Sequence, residues 1–216
     1  MTPAVSYREQ DGVGFLQLDD PPKNTLNRQA FHEMRRLTRD VLPGAEIRGL
    51  IVHGSGRHFS CGADLDELLA LLAKPGDPRE AADELLRENI DSFLEIEHLP
   101  YPTVAAIGGC CLGAGLELAL ACRYRIAAPH ALFALPETQL QVMPGCGGTI
   151  RLTKLVKPGK AIELILTGRG VLADEARQIG LIDRVVARGE LLPAAVRVVR
   201  GELALRSEGG HENPAG

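Results

Sequence analysis

The spacing of apolar residues changes several times along the chain, and the changes mark out its elements. Residues 4–9 and 13–18 alternate loosely on either side of Asp11-Gly12, a turn dipeptide, which predicts a β-hairpin. PPKNTLN, residues 21–27, reads as a loop. Asn27 can cap a helix over about 28–41, with Phe31, Met34, Leu37 and Val41 on one face. RGLIVHG at 48–54 and TVAAIGG at 103–109 are short apolar runs, the pattern of buried strands. Helical spacing occupies 64–73, breaks at KPGDP (74–78), and resumes over about 79–98 through Leu85, Leu86, Ile90, Phe93 and Leu94.

A helix over about 114–121 follows the second buried strand, and YRIAA and ALFAL predict two short strands between 124 and 135. GCGGTIRLTKLV, 145–156, opens glycine-rich and becomes helical. Helices are predicted near 159–167 and 173–179, a short strand at Asp183–Val186, and a last helix over roughly 190–205. SEGGHENPAG is polar and glycine-rich, and disorder is expected there. Strands followed by helices argue for an α/β fold of stacked ββα-like units. The expected organisation is a core domain over 1–190, a C-terminal helix over 191–206 and a tail over 207–216.

Composition narrows the class. A chain of 216 residues, 45% hydrophobic and 24% charged, suits one soluble globular domain. The net charge of −4, with no basic block, argues against nucleic acid. Glu, Gly or Pro interrupts the apolar stretches well short of a membrane span, and MTPAVSYREQ lacks the order of a signal peptide. The five cysteines (Cys61, Cys110, Cys111, Cys122, Cys146) include one adjacent pair and no CxxC pair or His-Cys cluster. That pattern suggests reduced thiols in a cytoplasmic protein and no metal site.

Two turns share one construction. HFSCGADL (58–65) and GGCCLGAGLEL (108–118) each follow a strand-like run and open a helical one. In the first, Gly62 allows a tight turn and Ala63 starts the helix; in the second, Gly113 and Gly115 flank Ala114. The N–H groups of Ala63 and Ala114 are unpaired donors at helix starts and could hold one oxyanion between them. Both turns also read as plain strand-to-helix connections. Glu117 lies in the first turn of the second helix, and Glu137 follows Pro136 in LFALPETQL. Each suits a helix start by itself. Together, beside an oxyanion site, they suit proton transfer next to a carbonyl.

These segments, in their order along the chain, resemble the crotonase (enoyl-CoA hydratase/isomerase) superfamily. The resemblance runs from about residue 12 to 190, through PPKNTLN, HFSCGADLDEL, YPTVAAIGGCCLGAGLELALAC, FALPETQLQVMPGCGGTIRL and AIELILTGRGVLADEARQIGLIDRVV. It implies a crotonase-like spiral of ββα units with a shortened C-terminal helical region, since the family usually continues into further helices. It also implies a homotrimer, or a hexamer formed by two trimers. The implied substrate is an acyl thioester of coenzyme A, with CoA entering as part of the substrate and no other cofactor. Ala63 and Ala114 match the family's oxyanion hole, and Glu117 and Glu137 its catalytic glutamates. Lys23, Asn24, Leu26, Asp64 and Leu65 match loop positions along the CoA path. Gly113 and Pro136 flank the same site, and Pro144, Gly145 and Gly148 match a loop beside the acyl pocket. Both glutamates being present favours water addition to an α,β-unsaturated acyl-CoA. Double-bond isomerisation, hydrolysis, and acyl-CoA binding without turnover are the alternatives. One departure is Arg123, where many relatives carry Asp. His58 and Tyr101 are expected to pack or to hold loops.

Overall fold

A computed structural model describes residues 3–72 and 89–205. The predicted hairpin is β1 (Val5–Gln10) and β2 (Val13–Leu18), antiparallel with Gln10 opposite Val13. Asp11 and Gly12 both take positive φ, 53° and 72°, which a two-residue turn of this twist requires. β3 (Leu50–Gly54) and β4 (Thr103–Ile107) continue the sheet in parallel. β5 (Cys110–Leu112) leaves it, and β6 (Tyr124–Ala127), β7 (Leu132–Ala134), β8 (Val171–Leu172) and β9 (Arg184–Val185) follow. The result is a six-stranded sheet, β1-β2-β3-β4-β6-β9, and a three-stranded sheet, β5-β7-β8.

The large sheet is covered on both faces, as its apolar runs require. Leu16, Leu18, Leu50, Val52, Ala105 and Ile107 point into the main core. Their alternates Val13, Phe15, Ile51, Val104, Ala106 and Ile126 meet Leu191, Ala194, Ala195, Val198 and Val199 of the last helix.

The helices are α1 (Arg28–Arg36), α2 (Leu65–Leu72), α3 (89–97), α4 (Ala114–Ala121), α5 (Gly148–Leu155), α6 (Pro158–Thr167), α7 (Ala173–Gln178) and α8 (Leu191–Val199). Asn27 caps α1 as expected, its Oδ1 accepting from Ala30 N at 2.9 Å. The helix then widens into a π turn, Leu37–Val41, and tightens into a 3₁₀ turn at Leu42–Gly44. α4 is buried on every side. Arg125, 3% exposed, closes its far end by donating to the carbonyls of Cys122 (2.6 Å) and Ala119 (3.3 Å).

Several expectations are corrected. The last helix stops at Val199, not near 205. Gly201 (φ 74°) turns the chain, its N–H bonding Val198 O at 3.0 Å while Glu202 N bonds Arg197 O at 2.8 Å. That is a Schellman cap with glycine at the left-handed position. Cys110–Leu112 is a strand inside what reads as a turn, because β7 and Ser60 offer it partners on both sides. Val171–Leu172 also adds a short strand that the sequence pattern does not announce. Most of the helix predicted over 79–98 lies outside the described residues, as does the 207–216 tail. No helix among the described residues is long and apolar enough to cross a membrane.

Candidate active site

The two similar turns are stitched to each other. Phe59 N and Ser60 N both donate to Cys110 O (3.0 and 3.1 Å), and Leu112 N donates to Ser60 O (3.0 Å). His58 adds a side-chain tie, its Nδ1 accepting from Cys110 N at 2.9 Å. The other side of the first turn is held by the 21–27 loop, where Cys61 N bonds Lys23 O at 2.9 Å. Leu26 N bonds Gly62 O (2.9 Å), and Asp64 N bonds Leu26 O (3.3 Å). In a planar trans peptide the carbonyl and the following N–H point in opposite directions. Since the Gly62 carbonyl faces Leu26, the Ala63 N–H faces away from it. That N–H has no acceptor among the described residues.

The second donor arises the same way. Gly113 adopts φ 52° and ψ −128°, its N–H bonds Ala134 O (2.9 Å), and its carbonyl accepts from Glu117 N (3.0 Å). The Ala114 N–H therefore points back out of the start of α4, again without an acceptor among the described residues. Contact between the turns is close. A Cβ added at Gly62 would lie 2.9 Å from Leu112 O and 3.7 Å from Ala114 N. A Cβ at Gly113 would lie 3.0 Å from Glu137 Oε1 and 4.0 Å from Gly62 Cα. Both glycines thus leave space between the two turns and beside Glu137.

The glutamates meet at this place in different settings. Glu117, 1% exposed, accepts at Oε1 from Cys146 N and Gly148 N, both at 2.8 Å. Burial pushes its carboxyl above the ordinary value, against the pull of those two N–H groups and of the Arg151 charge. Glu137 opens onto the site from a 3₁₀ turn, Pro136–Leu140. Burial pushes its carboxyl up to about 7; a bond to its own N–H opposes the rise and the Glu117 charge adds to it. Its Oε2 is buried with no partner among the described residues.

The other predicted positions divide. Pro136 begins the 3₁₀ turn that carries Glu137, and Gly145 precedes the Cys146 amide that holds Glu117. Asn24 is fully buried and fully used: Nδ2 donates to Ser55 O and His58 O (both 2.8 Å), and Oδ1 accepts from Ser55 Oγ (3.0 Å) and Asp20 N (3.2 Å). Leu26 is buried behind the first turn, whereas Lys23 and Leu65 are exposed. Asp64 caps α2, its Oδ1 accepting from Asp66 N (2.9 Å) and Glu67 N (3.0 Å); the helix begins at Leu65, not at Ala63. Tyr101 donates to Leu42 O at 2.7 Å, a packing role as expected. Sequence reading missed Arg151, 7% exposed, whose Nη1 donates to Cys146 O (2.7 Å) and Nε to Glu97 Oε2 (2.8 Å). The available signal was a lone arginine, one turn after a glycine pair, inside an otherwise apolar helix face.

Comparison with known proteins identifies the family. The α subunit of a fatty acid oxidation complex from Shewanella amazonensis is 38% identical over 196 residues, 88% of this chain and 27% of that protein. The glyoxysomal fatty acid beta-oxidation multifunctional protein MFP-a of Brassica napus is 40% identical over 187 residues, 87% of this chain and 25% of that protein. The chain thus spans about a quarter of the length of these relatives. Among solved structures, an enoyl-CoA hydratase from Bacillus anthracis is 34% identical with a TM-score of 0.83, over 92% of this chain and 76% of that one. DspI of Pseudomonas aeruginosa is 33% identical with a TM-score of 0.85, over 93% and 75%. A family model described as enoyl-CoA hydratase/isomerase matches residues 8–207, and with the crotonase fold in the described residues, the chain belongs to that family.

Proposed function

We propose that the protein adds water across the double bond of an α,β-unsaturated acyl-CoA, giving a 3-hydroxyacyl-CoA. The observation that supports this reading is the close approach of the two turns beside Glu137, with the Ala63 and Ala114 N–H groups lacking an acceptor among the described residues. The thioester oxygen lies between the two amides and becomes an enolate oxygen as water attacks the β-carbon. Glu117, held by two N–H groups that favour its charged form against burial, takes the proton from water. Glu137, protonated in good part near neutral pH, donates to the α-carbon. Each proton taken is matched by one given, so the chemistry calls for no metal or organic cofactor, and CoA serves as the carrier.

Isomerisation of an acyl-CoA double bond uses the same enolate. It is favoured by one observation: among the described residues Glu137 keeps a buried oxygen, Oε2, without a partner while its Oε1 lies beside Gly113, so it could move a proton between carbons alone. A panel of enoyl-CoA thioesters, followed by loss of conjugated absorbance, tests the main reading. Hydration that vanishes in Glu117→Gln while α-to-γ proton exchange survives would favour the isomerase. Tight acyl-CoA binding with no turnover at any chain length would leave a non-catalytic binding protein.

The proposal extends to assembly and place. Exposed Leu140, Ile150, Ile162 and Leu166 lie on neighbouring elements, the 3₁₀ turn, α5 and α6. Such a surface suits a homotrimer. Five free thiols suit a reducing compartment, which we take to be the cytoplasm.

A further inference from the structure

One buried charge beside the paired carboxylates takes no part in the reaction above. Arg151 grips the carbonyl of Cys146, the residue whose N–H holds Glu117. The seat depends on glycine next door: Gly147 has φ +94°, and a Cβ there would lie 2.3 Å from Arg151 Nη1. A guanidinium removed from water needs a counter-charge. Arg151 takes it from Glu97 on α3, at 2.8 Å, while its charge also acts, at longer range, on the core carboxylate of Glu117.

We propose that Arg151 is a positioning residue for Glu117, and that Glu97 is the counter-ion that keeps Arg151 from pairing with Glu117 directly. This rests on reading Glu117 as the base. A direct pair would weaken that base and occupy its oxygens. Without any cation, burial would push the carboxyl further toward its protonated form. The Glu97–Arg151 pair sets a middle course: the positive charge acts at one remove, and the same guanidinium fixes the loop that supplies the two N–H groups. The titratable groups facing Glu117 are Glu137 from the 3₁₀ turn, Cys146 from the loop and Arg151 from α5. Those facing Arg151 are Glu97 from α3, Cys122 from α4 and Cys146. The arrangement also ties the ionisation of Glu117 to α3, whose Phe93 and Ile96 are anchored in the core.

The test is a pair of variants with opposite signs. Arg151→Gln should move the titration of Glu117 up by about one pH unit. Glu97→Gln should move it down, by less, since Glu97 is 39% exposed. Infrared titration of the carboxyl band in the ligand-free protein reads this directly, with Glu117→Gln identifying the signal. The acidic limb of kcat/KM should move in the same directions, with kcat changing more than KM, and Arg151→Lys should return the limb toward that of the unaltered protein. A shift of the same sign in both variants, or none in either, overturns the proposal. If Arg151→Gln does not fold, Glu97→Gln decides alone, and an unmoved or raised Glu117 titration is the contrary result. Failure of every enoyl-CoA to turn over would sink the hydratase reading, while the infrared titration would still decide this one.

Discussion

Replacing Ala114 by proline removes one oxyanion donor with little else disturbed, and the structure shows why. Ala114 is the first residue of α4, where proline's fixed φ is compatible with the helix. Its N–H bonds nothing among the described residues, so no internal hydrogen bond is lost. Gly113, at φ 52° and ψ −128°, is already outside the α region that a following proline disfavours. Unfolding free energy should therefore fall by less than about 1 kcal/mol. The rate is another matter. On the proposed mechanism one of the two amides that hold the enolate oxygen is gone, and the expected loss in kcat is about 10²–10³-fold. That corresponds to about 2.7–4 kcal/mol of transition-state stabilisation. Ala114→Gly, which keeps the N–H, should stay within about threefold of the unaltered protein, the cost being one poorer helix former. Stopped assays on an enoyl-CoA, with denaturant unfolding of the same samples, supply both quantities. A folded Ala114→Pro protein with near-normal kcat would refute the oxyanion argument.

The remaining predictions concern the acids, the fold and assembly. Glu117→Gln and Glu137→Gln should each lower kcat by about 10²–10⁴-fold while leaving acyl-CoA affinity, measured calorimetrically, nearly unchanged. With Glu137 as the acid, kcat/KM should decline as pH rises through about 7, and this limb should be absent in Glu137→Gln. The same raised carboxyl makes a stability contribution present below the ordinary value of 4.5 and lost as pH rises through about 7. Glu137→Gln should accordingly gain on the unaltered protein between pH 5 and pH 8, by roughly 2 kcal/mol after allowing for partial solvent screening; Tm at the two pH values checks this, and an equal difference at both would contradict it. Arg125→Met leaves the carbonyls of Ala119, Cys122 and Leu181 and the Asp183 carboxylate without their cation, and should cost about 3–5 kcal/mol in urea unfolding. Light scattering should find trimers that Leu166→Glu on α6, 65% exposed, breaks into smaller species.

The order of elements was legible because their signals are local. Asp11-Gly12 names its own turn, Asn27 its own cap, and the apolar runs at 50–54 and 103–107 their own burial. The candidate donors Ala63 and Ala114 and the two glutamates could also be named, although each turn and each glutamate by itself reads equally as a plain helix start; their order along the chain singled them out. What the sequence did not reveal depends on distant partners. Cys110–Leu112 becomes a strand only because β7 and Ser60 flank it. Asn24 looks like a loop residue open to a ligand, yet its bonds to Ser55 and His58 are made 31 and 34 residues away. Arg151 finds Glu97 across 54 residues, a pairing that no spacing rule contains. The early end of the last helix was readable in hindsight: Gly201 is a cap signal that the apolar pattern of 191–205 outweighed.

A crystal structure of the protein with a bound saturated acyl-CoA puts the shared geometry to its most direct trial. The thioester oxygen should sit about 3 Å from both the Ala63 and the Ala114 nitrogen, with the Glu137 carboxyl beside the α-carbon and the Glu117 carboxyl beside the β-carbon. A thioester oxygen bonded to one of these nitrogens alone, or to neither, would contradict the account.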